Sequence, residues 1–225
     1  MRSVPFLGVL MLDTQFPRPV GDVGNPQTYA RAGIPVRFLT IQGASPQGVV
    51  KDADPRLLAP FLEGAQVLVS QGAALITTSC GFLAAYQPQF EAALSVPVLT
   101  SSLLMCQQLA SPGIVTFDAQ SLSPSILLAA GVPPETPVSG LAPGCSMQTA
   151  ILGNHTELDV ARAQQEVVQA ALALVQAHPE VQNVVLECTN MPPYREAVAL
   201  ATGRPVHDIE TLLLAQWAQR SRVAS

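Results

Sequence analysis

Short runs of apolar residues recur along the chain, each giving way to a polar or glycine-rich turn and then to a stretch whose apolar positions follow helical spacing. Unbroken apolar runs of four to eight residues mark strands buried on both faces, and their alternation with helices marks βα units and a parallel sheet. The pattern predicts strands at Phe6 to Leu12, Pro35 to Ile41, Ala73 to Thr78, Val96 to Thr100, Gly113 to Phe117, Pro137 to Leu141, Val181 to Leu186 and Pro205 to Asp208. Helices are expected over Asp54 to Gln71, Leu83 to Leu94, Ser123 to Ala130, Thr156 to His178, Pro193 to Thr202 and Ile209 to Arg222. In the long helix before the seventh strand, Leu158, Val160, Ala161, Val167, Val168, Ala171, Leu172 and Val175 mostly keep a period near 3.6.

The two halves of the chain can be laid over one another. Gly8-Val-Leu-Met-Leu-Asp13 matches Gly113-Ile-Val-Thr-Phe-Asp118, Pro35-Val36 matches Pro137-Val138, Cys80 matches Cys188, and Pro97-Val98 matches Pro205-Val206. Four matches in the same order point to an internal duplication. The expected fold class is α/β, with two pseudo-symmetric lobes, each a four-stranded, mainly parallel sheet flanked by helices, and an active site in the cleft between them. Residues 1–105 form the first lobe and 106–206 the second, while the terminal helix of 207–225 packs back on the first.

Composition narrows the function classes. With 225 residues and 48% hydrophobic content the chain can bury a large core. Its 11 basic residues are outnumbered by 16 acidic ones and are scattered, which argues against nucleic acid as a partner. No run approaches the roughly 18 apolar residues of a membrane span. The apolar opening leads into Asp13 without a small-residue cleavage site, and reads as a first strand rather than a signal peptide. Four cysteines in such a chain are expected to be thiols in a reducing cytoplasm rather than two bridges.

Cys80 and Cys188 each end a strand and precede a helix, where ligands bind in open parallel sheets. A helix N-terminus favours the thiolate and is expected to draw the thiol pKa toward neutrality. Two such thiols facing each other across a bound carbon acid could take a proton from one face and return one to the other, without a cofactor. The competing reading is core filler, which also serves for Cys106, inside a helical pattern, and for Cys145. Asp13, at the end of the first strand, is expected either to point into the cleft beside Cys80 or to cap its own turn. Asp118 is its repeat partner. The loop Gly21-Asp-Val-Gly-Asn-Pro-Gln-Thr28, which contains Asn25, either offers backbone N–H groups to a carboxylate or is a plain connection. Glu187 is expected to point away from Cys188, by strand alternation. His155, His178 and His207 make no metal spacing with a cysteine, so no metal is expected. The usual signatures of hydride transfer, phosphoryl transfer and serine hydrolysis are missing.

Gly8-Val-Leu-Met-Leu-Asp13-Thr14, Thr77-Thr-Ser-Cys80-Gly81, Gly113-Ile-Val-Thr-Phe-Asp118 and Glu187-Cys188-Thr189-Asn190 together resemble the aspartate/glutamate (and hydantoin) racemase superfamily, over nearly the whole chain. The resemblance implies cofactor-independent inversion at the α-carbon of an acidic amino acid or related carbon acid. Cys80 and Cys188 would be the acid/base pair, with Asp13 beside them. Thr14, Asn25, Ser79, Gly81, Phe82, Thr116, Thr189 and Asn190 are the corresponding candidates for binding a small carboxylate substrate, and a homodimer is implied. Gly81-Phe82 and Asn190 depart from the glutamate racemase pattern of Asn-Thr after the first cysteine and His two residues after the second. Phe82 predicts a less polar wall, and the substrate stays open. Alternatives within the superfamily are a maleate-type cis-trans isomerase or an arylmalonate-type decarboxylase using one cysteine; outside catalysis, the alternative is a small-acid binding protein.

Overall fold

A computed structural model describes residues 4–223; residues 1–3 of the first predicted lobe and 224–225 of the terminal segment lie outside the described residues. The strands, in chain order, are β1 (Phe6–Leu12), β2 (Val36–Ile41), β3 (Ala73–Thr78), β4 (Val98–Leu99), β5 (Pro112–Thr116), β6 (Val138–Gly140), β7 (Asn183–Leu186) and β8 (Val206–His207). They form two four-stranded sheets ordered β2-β1-β3-β4 and β6-β5-β7-β8, and every pairing is parallel. The second order repeats the first, element for element, as a duplication requires. The edge strands β4 and β8 are shorter than their apolar runs because only two residues of each pair, Val98 and Leu99 with Ile76 and Thr77, and Val206 and His207 with Val184 and Val185.

The helices are α1 (Pro26–Ala30), α2 (Leu58–Ser70), α3 (Gln87–Ala93), α4 (Pro124–Ala129), α5 (Ser146–Leu152), α6 (Val160–Ala177), α7 (Arg195–Thr202) and α8 (Ile209–Val223). Helix α6 begins at Val160 rather than Thr156, since the Asp159 side chain accepts from Arg162 N–H and fixes the N-cap there. Its buried stripe is Ala163, Val167, Ala170, Ala171 and Leu174, while Val160 stays exposed. The repeat-matched glycines have one physical reason in common. A Cβ on Gly8 would stand 2.7 Å from Ile76 and 3.0 Å from Leu68 of α2, and one on Gly113 would stand 2.8 Å from Val181 and 3.0 Å from Leu174 of α6. Each central strand lacks a side chain where a helix crosses it closely.

Two apolar clusters hold the molecule together. The larger runs through both lobes and includes Cys80, Phe82, Phe117 and Cys188. The smaller lies on the other face of the first sheet, where Ile209 and Leu213 of α8 pack with Leu7, Val9, Leu75 and Tyr29. Arg195 of α7 donates to Asp208 and Glu210 at 2.7 and 2.8 Å, tying α7 to the start of α8. No helix among the described residues is long and apolar enough to cross a membrane.

Candidate active site

Both lobes contribute to one small cavity. Cys80 follows β3 by two residues and leads into the 3-10 turn Gly81–Tyr86; Cys188 follows β7 by two residues and leads, through Thr189 to Met191, into the 3-10 turn Pro192–Tyr194. Both are buried, and they share a cavity of ≈ 20 Å³ with Ser79, Gly81, Glu187, Thr189 and Asn190, walled by Leu12, Phe16, Phe82, Phe117 and Ile151. That volume holds about one water molecule. Cys106, buried elsewhere in the core, and the half-buried Cys145 do not reach it.

Hydrogen bonds within and across the lobes fix the position of the two cysteines. Thr189 Oγ1 donates to the Ser79 carbonyl at 2.7 Å, while Ser79 Oγ accepts from Leu12 N–H at 2.8 Å. Ser102 Oγ donates to the Leu186 carbonyl at 2.6 Å. The residues flanking each cysteine are therefore bonded to the opposite lobe, and side chains aimed into the gap keep their register.

Beside Cys188, Asn190 turns its Oδ1 toward the thiol (3.6 Å) and donates through Nδ2 to Asp22 Oδ2 at 2.6 Å. Asp22 is buried and accepts further from Arg18 Nη1 at 2.8 Å and Gly24 N–H at 2.7 Å. Arg18 lies over the Phe16 ring and donates to Thr14 Oγ1 at 3.0 Å. Asp22 belongs to the loop that offered two readings, and its signal was an acid set among glycines.

Several expected positions are corrected. Asp13 does not enter the cavity; it is exposed, and its carboxylate accepts from Gly43 N–H at 3.1 Å, in the turn after β2 rather than in its own. The strand ends at Leu12, so alternation no longer aims the next side chain. Thr14 stands behind Arg18, outside the lining. Asn25 caps α1, accepting from Gln27 N–H at 2.8 Å and donating to the Arg18 carbonyl at 2.8 Å. Thr116 sits beneath the site and donates to Glu187 Oε2 at 2.8 Å. Asp118 bonds Lys51. Glu187 is the largest departure. Bonding to β5 runs one residue past β7, with Glu187 N–H on the Val115 carbonyl at 2.8 Å, and Glu187 and Cys188 both line the cavity.

The protonation expected for the cysteines is also reversed. Burial first, and then the Glu187 charge, push the Cys80 thiol up to about 12; backbone hydrogen bonds from Phe82 and Leu83 and the Arg18 charge act against this and lose. Cys188 is likewise raised, by burial and then Glu187, against a backbone bond from Asn190. The turns that follow are single 3-10 pieces, poor substitutes for the dipole of a long helix. Burial raises the Glu187 carboxyl to about 7, opposed by the bonds from Thr116 and Phe117.

No protein-family model matches the chain. Among curated proteins, dimethylsulfoniopropionate lyase 5 of Emiliania huxleyi is 30% identical over 229 residues, taking in 94% of this chain and 45% of its own length. The dimethylsulfoniopropionate lyase of Durusdinium sp. clade D is 26% identical over 216 residues, 90% of this chain and 70% of its own. The chain thus spans less than half of the first of these relatives. Among solved structures, a glutamate racemase from Bacillus anthracis superposes with a TM-score of 0.65 at 16% identity, over 98% of this chain and 83% of its own. An allantoin racemase from Pseudomonas fluorescens gives 0.64 at 17%, over 97% and 92%. A variant of arylmalonate decarboxylase in a sulfate-associated form gives 0.60 at 16%, over 90% and 87%. The two parallel sheets, their repeated strand order and these superpositions agree: the chain has the fold of the aspartate/glutamate racemase superfamily.

Proposed function

We propose that this protein is a cofactor-independent enzyme acting on a small carbon acid, which removes the proton α to a carboxylate and uses Cys80 and Cys188 as its acid/base pair. The observation that carries the reading is the meeting of two repeat-matched thiols, one from each lobe, in a single narrow cavity. In racemisation, the thiolate of one cysteine takes the α-hydrogen, and the thiol of the other delivers its own to the opposite face. The substrate class is an amino acid or related small carboxylate. At ≈ 20 Å³ the cavity is smaller than any such acid, so this reading requires its walls to part on binding.

A second reading is β-elimination, favoured by the curated relatives that are lyases of dimethylsulfoniopropionate, a carboxylate with a sulfonium leaving group on Cβ. Loss of the α-hydrogen is its first requirement too, and the aromatic walls Phe16, Phe82 and Phe117 suit a sulfonium cation better than a second carboxylate. In this branch one thiolate is the base, and no proton returns to the opposite face.

The test is a panel of D- and L-amino acids, arylmalonates and dimethylsulfoniopropionate in heavy water, followed by NMR. Deuterium at the α-carbon with inversion selects the racemase; acrylate and dimethyl sulfide select the lyase. Cys80→Ser and Cys188→Ser are each expected to abolish racemisation; full activity in either overturns the two-base mechanism. Turnover surviving in one of them selects a single-cysteine reaction. Tight binding without α-exchange selects a binding protein.

A further inference from the structure

Glu187 is the buried acid that the two-thiol chemistry leaves without a role. Its residue has no exposed surface, Oε2 accepts from Thr116 Oγ1 at 2.8 Å, and Oε1 has no hydrogen-bond partner in the protein. A buried carboxyl oxygen left without a partner is costly to hold unless the site uses it. Its direction is defined by Gly81: a Cβ built there would stand 2.2 Å from Oε1 and 2.3 Å from the Glu187 carbonyl oxygen. Oε1 is thus pressed against the residue that follows Cys80, while the peptide bond of Glu187 joins it to Cys188. All three groups line one cavity with room for about one water molecule.

We propose that Glu187 is the proton carrier of the thiol pair, accepting a proton from one cysteine before catalysis and giving it to the other afterwards. The inference rests on the two-thiol reading above. The Cys80 thiol passes its proton to Glu187 Oε1, directly or through the one water, leaving a thiolate and a carboxylic acid. The thiolate takes the α-hydrogen from one face of the substrate. Cys188 delivers its thiol hydrogen to the other face and becomes a thiolate, which the carboxylic acid of Glu187 reprotonates. Substrate is inverted, both thiols and the carboxylate are restored, and no proton is gained or lost. The opposite direction runs with the cysteines exchanged.

The chemistry of the site supplies the motive. Two thiols that burial holds protonated need an internal acceptor before either becomes a base. A carboxyl titrating at about 7 is the one group in the cavity ready to accept. The groups facing it are Cys80 beyond β3, Cys188 on its own segment, and Thr116 of β5 with the N–H of Phe117 just after it. Glu187 acts through the cysteines and is a positioning residue in this sense.

The deciding variant is Glu187→Gln, which keeps the shape and an oxygen to accept from Thr116 but carries no exchangeable acid proton. On the substrate found in the heavy-water panel, it is expected to lose at least about 100-fold in kcat. The limb of the wild-type kcat profile near pH 7 is expected to disappear, and Glu187→Asp to restore part of both rate and limb. A folded Glu187→Gln protein with wild-type rate and pH profile overturns the proposal. If Glu187→Gln does not fold, infrared difference spectra of the wild type decide: a carboxylic-acid stretch that titrates with kcat supports the carrier, and one that does not overturns it. Failure here is separable from failure of the parent reading. Loss of exchange in both cysteine variants with none in Glu187→Gln removes only Glu187, whereas full exchange in the cysteine variants removes the two-thiol mechanism itself.

Discussion

Gly81 is the residue with least latitude in the site. An added methyl would meet both Oε1 and the backbone carbonyl of Glu187, and the carbonyl cannot swing aside. Gly81→Ala is therefore expected to cost about 1–3 kcal/mol and to push the segment after Cys80 away from Cys188, with a lower denaturant midpoint and weaker α-exchange. A midpoint equal to wild type would show that the two segments are not in contact. The same residues define how far sequence reasoning reached. That Cys80 and Cys188 share a cavity was readable because the internal repeat matched them, which Cys106 and Cys145 lack. Asp13 was misplaced because strand alternation was carried past Leu12, where β1 ends; Glu187 lines the cavity although its N–H still bonds to β5. Asp22 was overlooked because its partners Arg18 and Asn190 lie 4 and 168 residues away, the second separation invisible to any local pattern.

At the level of elements, strands with a long apolar run were legible almost to the residue, β1 and β3 at both ends, because burial on both faces keeps charged positions out. The short helices α1 and α5 were not, being five and seven residues long, too short to display a period. Nor was the single helical turn Gln47–Lys51, which carries Val50 over the cavity and whose Lys51 pairs with Asp118 beyond β5 in the other lobe. Burial opposes ionisation of Asp118, but donors from Lys51, Ser121 and Gln120 N–H prevail and hold its carboxyl below the usual range. A carboxyl lowered on folding adds stability above its ordinary pKa, near 4, and loses it as pH falls through the folded value. Asp118→Asn is expected to cost about 1 kcal/mol at neutral pH, to shrink that cost in acid, and to speed amide hydrogen exchange in Gln47–Lys51. Unchanged exchange in that turn would mean that the pair does not hold it to the second lobe.

For the molecule as a whole, the repeated strand order made the two-lobe plan readable from one chain. What no repeat could reveal is how deeply the junction between lobes is buried, and that depth governs the response to pH. Glu187 titrates at about 7 in the native protein against 4.5 for the free side chain, so the folded state binds the extra proton between those values. This group's contribution to stability is accordingly greatest below about 4.5 and declines toward pH 7, by at most about 3 kcal/mol. Urea midpoints measured from pH 4.5 to 7.5 are expected to fall more for the wild type than for Glu187→Gln. Parallel curves would place the carboxyl in contact with water.

The enclosure of Cys80 and Cys188 has a chemical consequence outside turnover. Peroxide and alkylating agents attack thiolates within reach of solvent, and at neutral pH this pair offers neither the charge nor the access. Cys145 is better placed to meet an oxidant, being half-exposed at the start of α5. On the two-thiol reading, the protein without substrate thus keeps both sulfurs in a form resistant to oxidative damage.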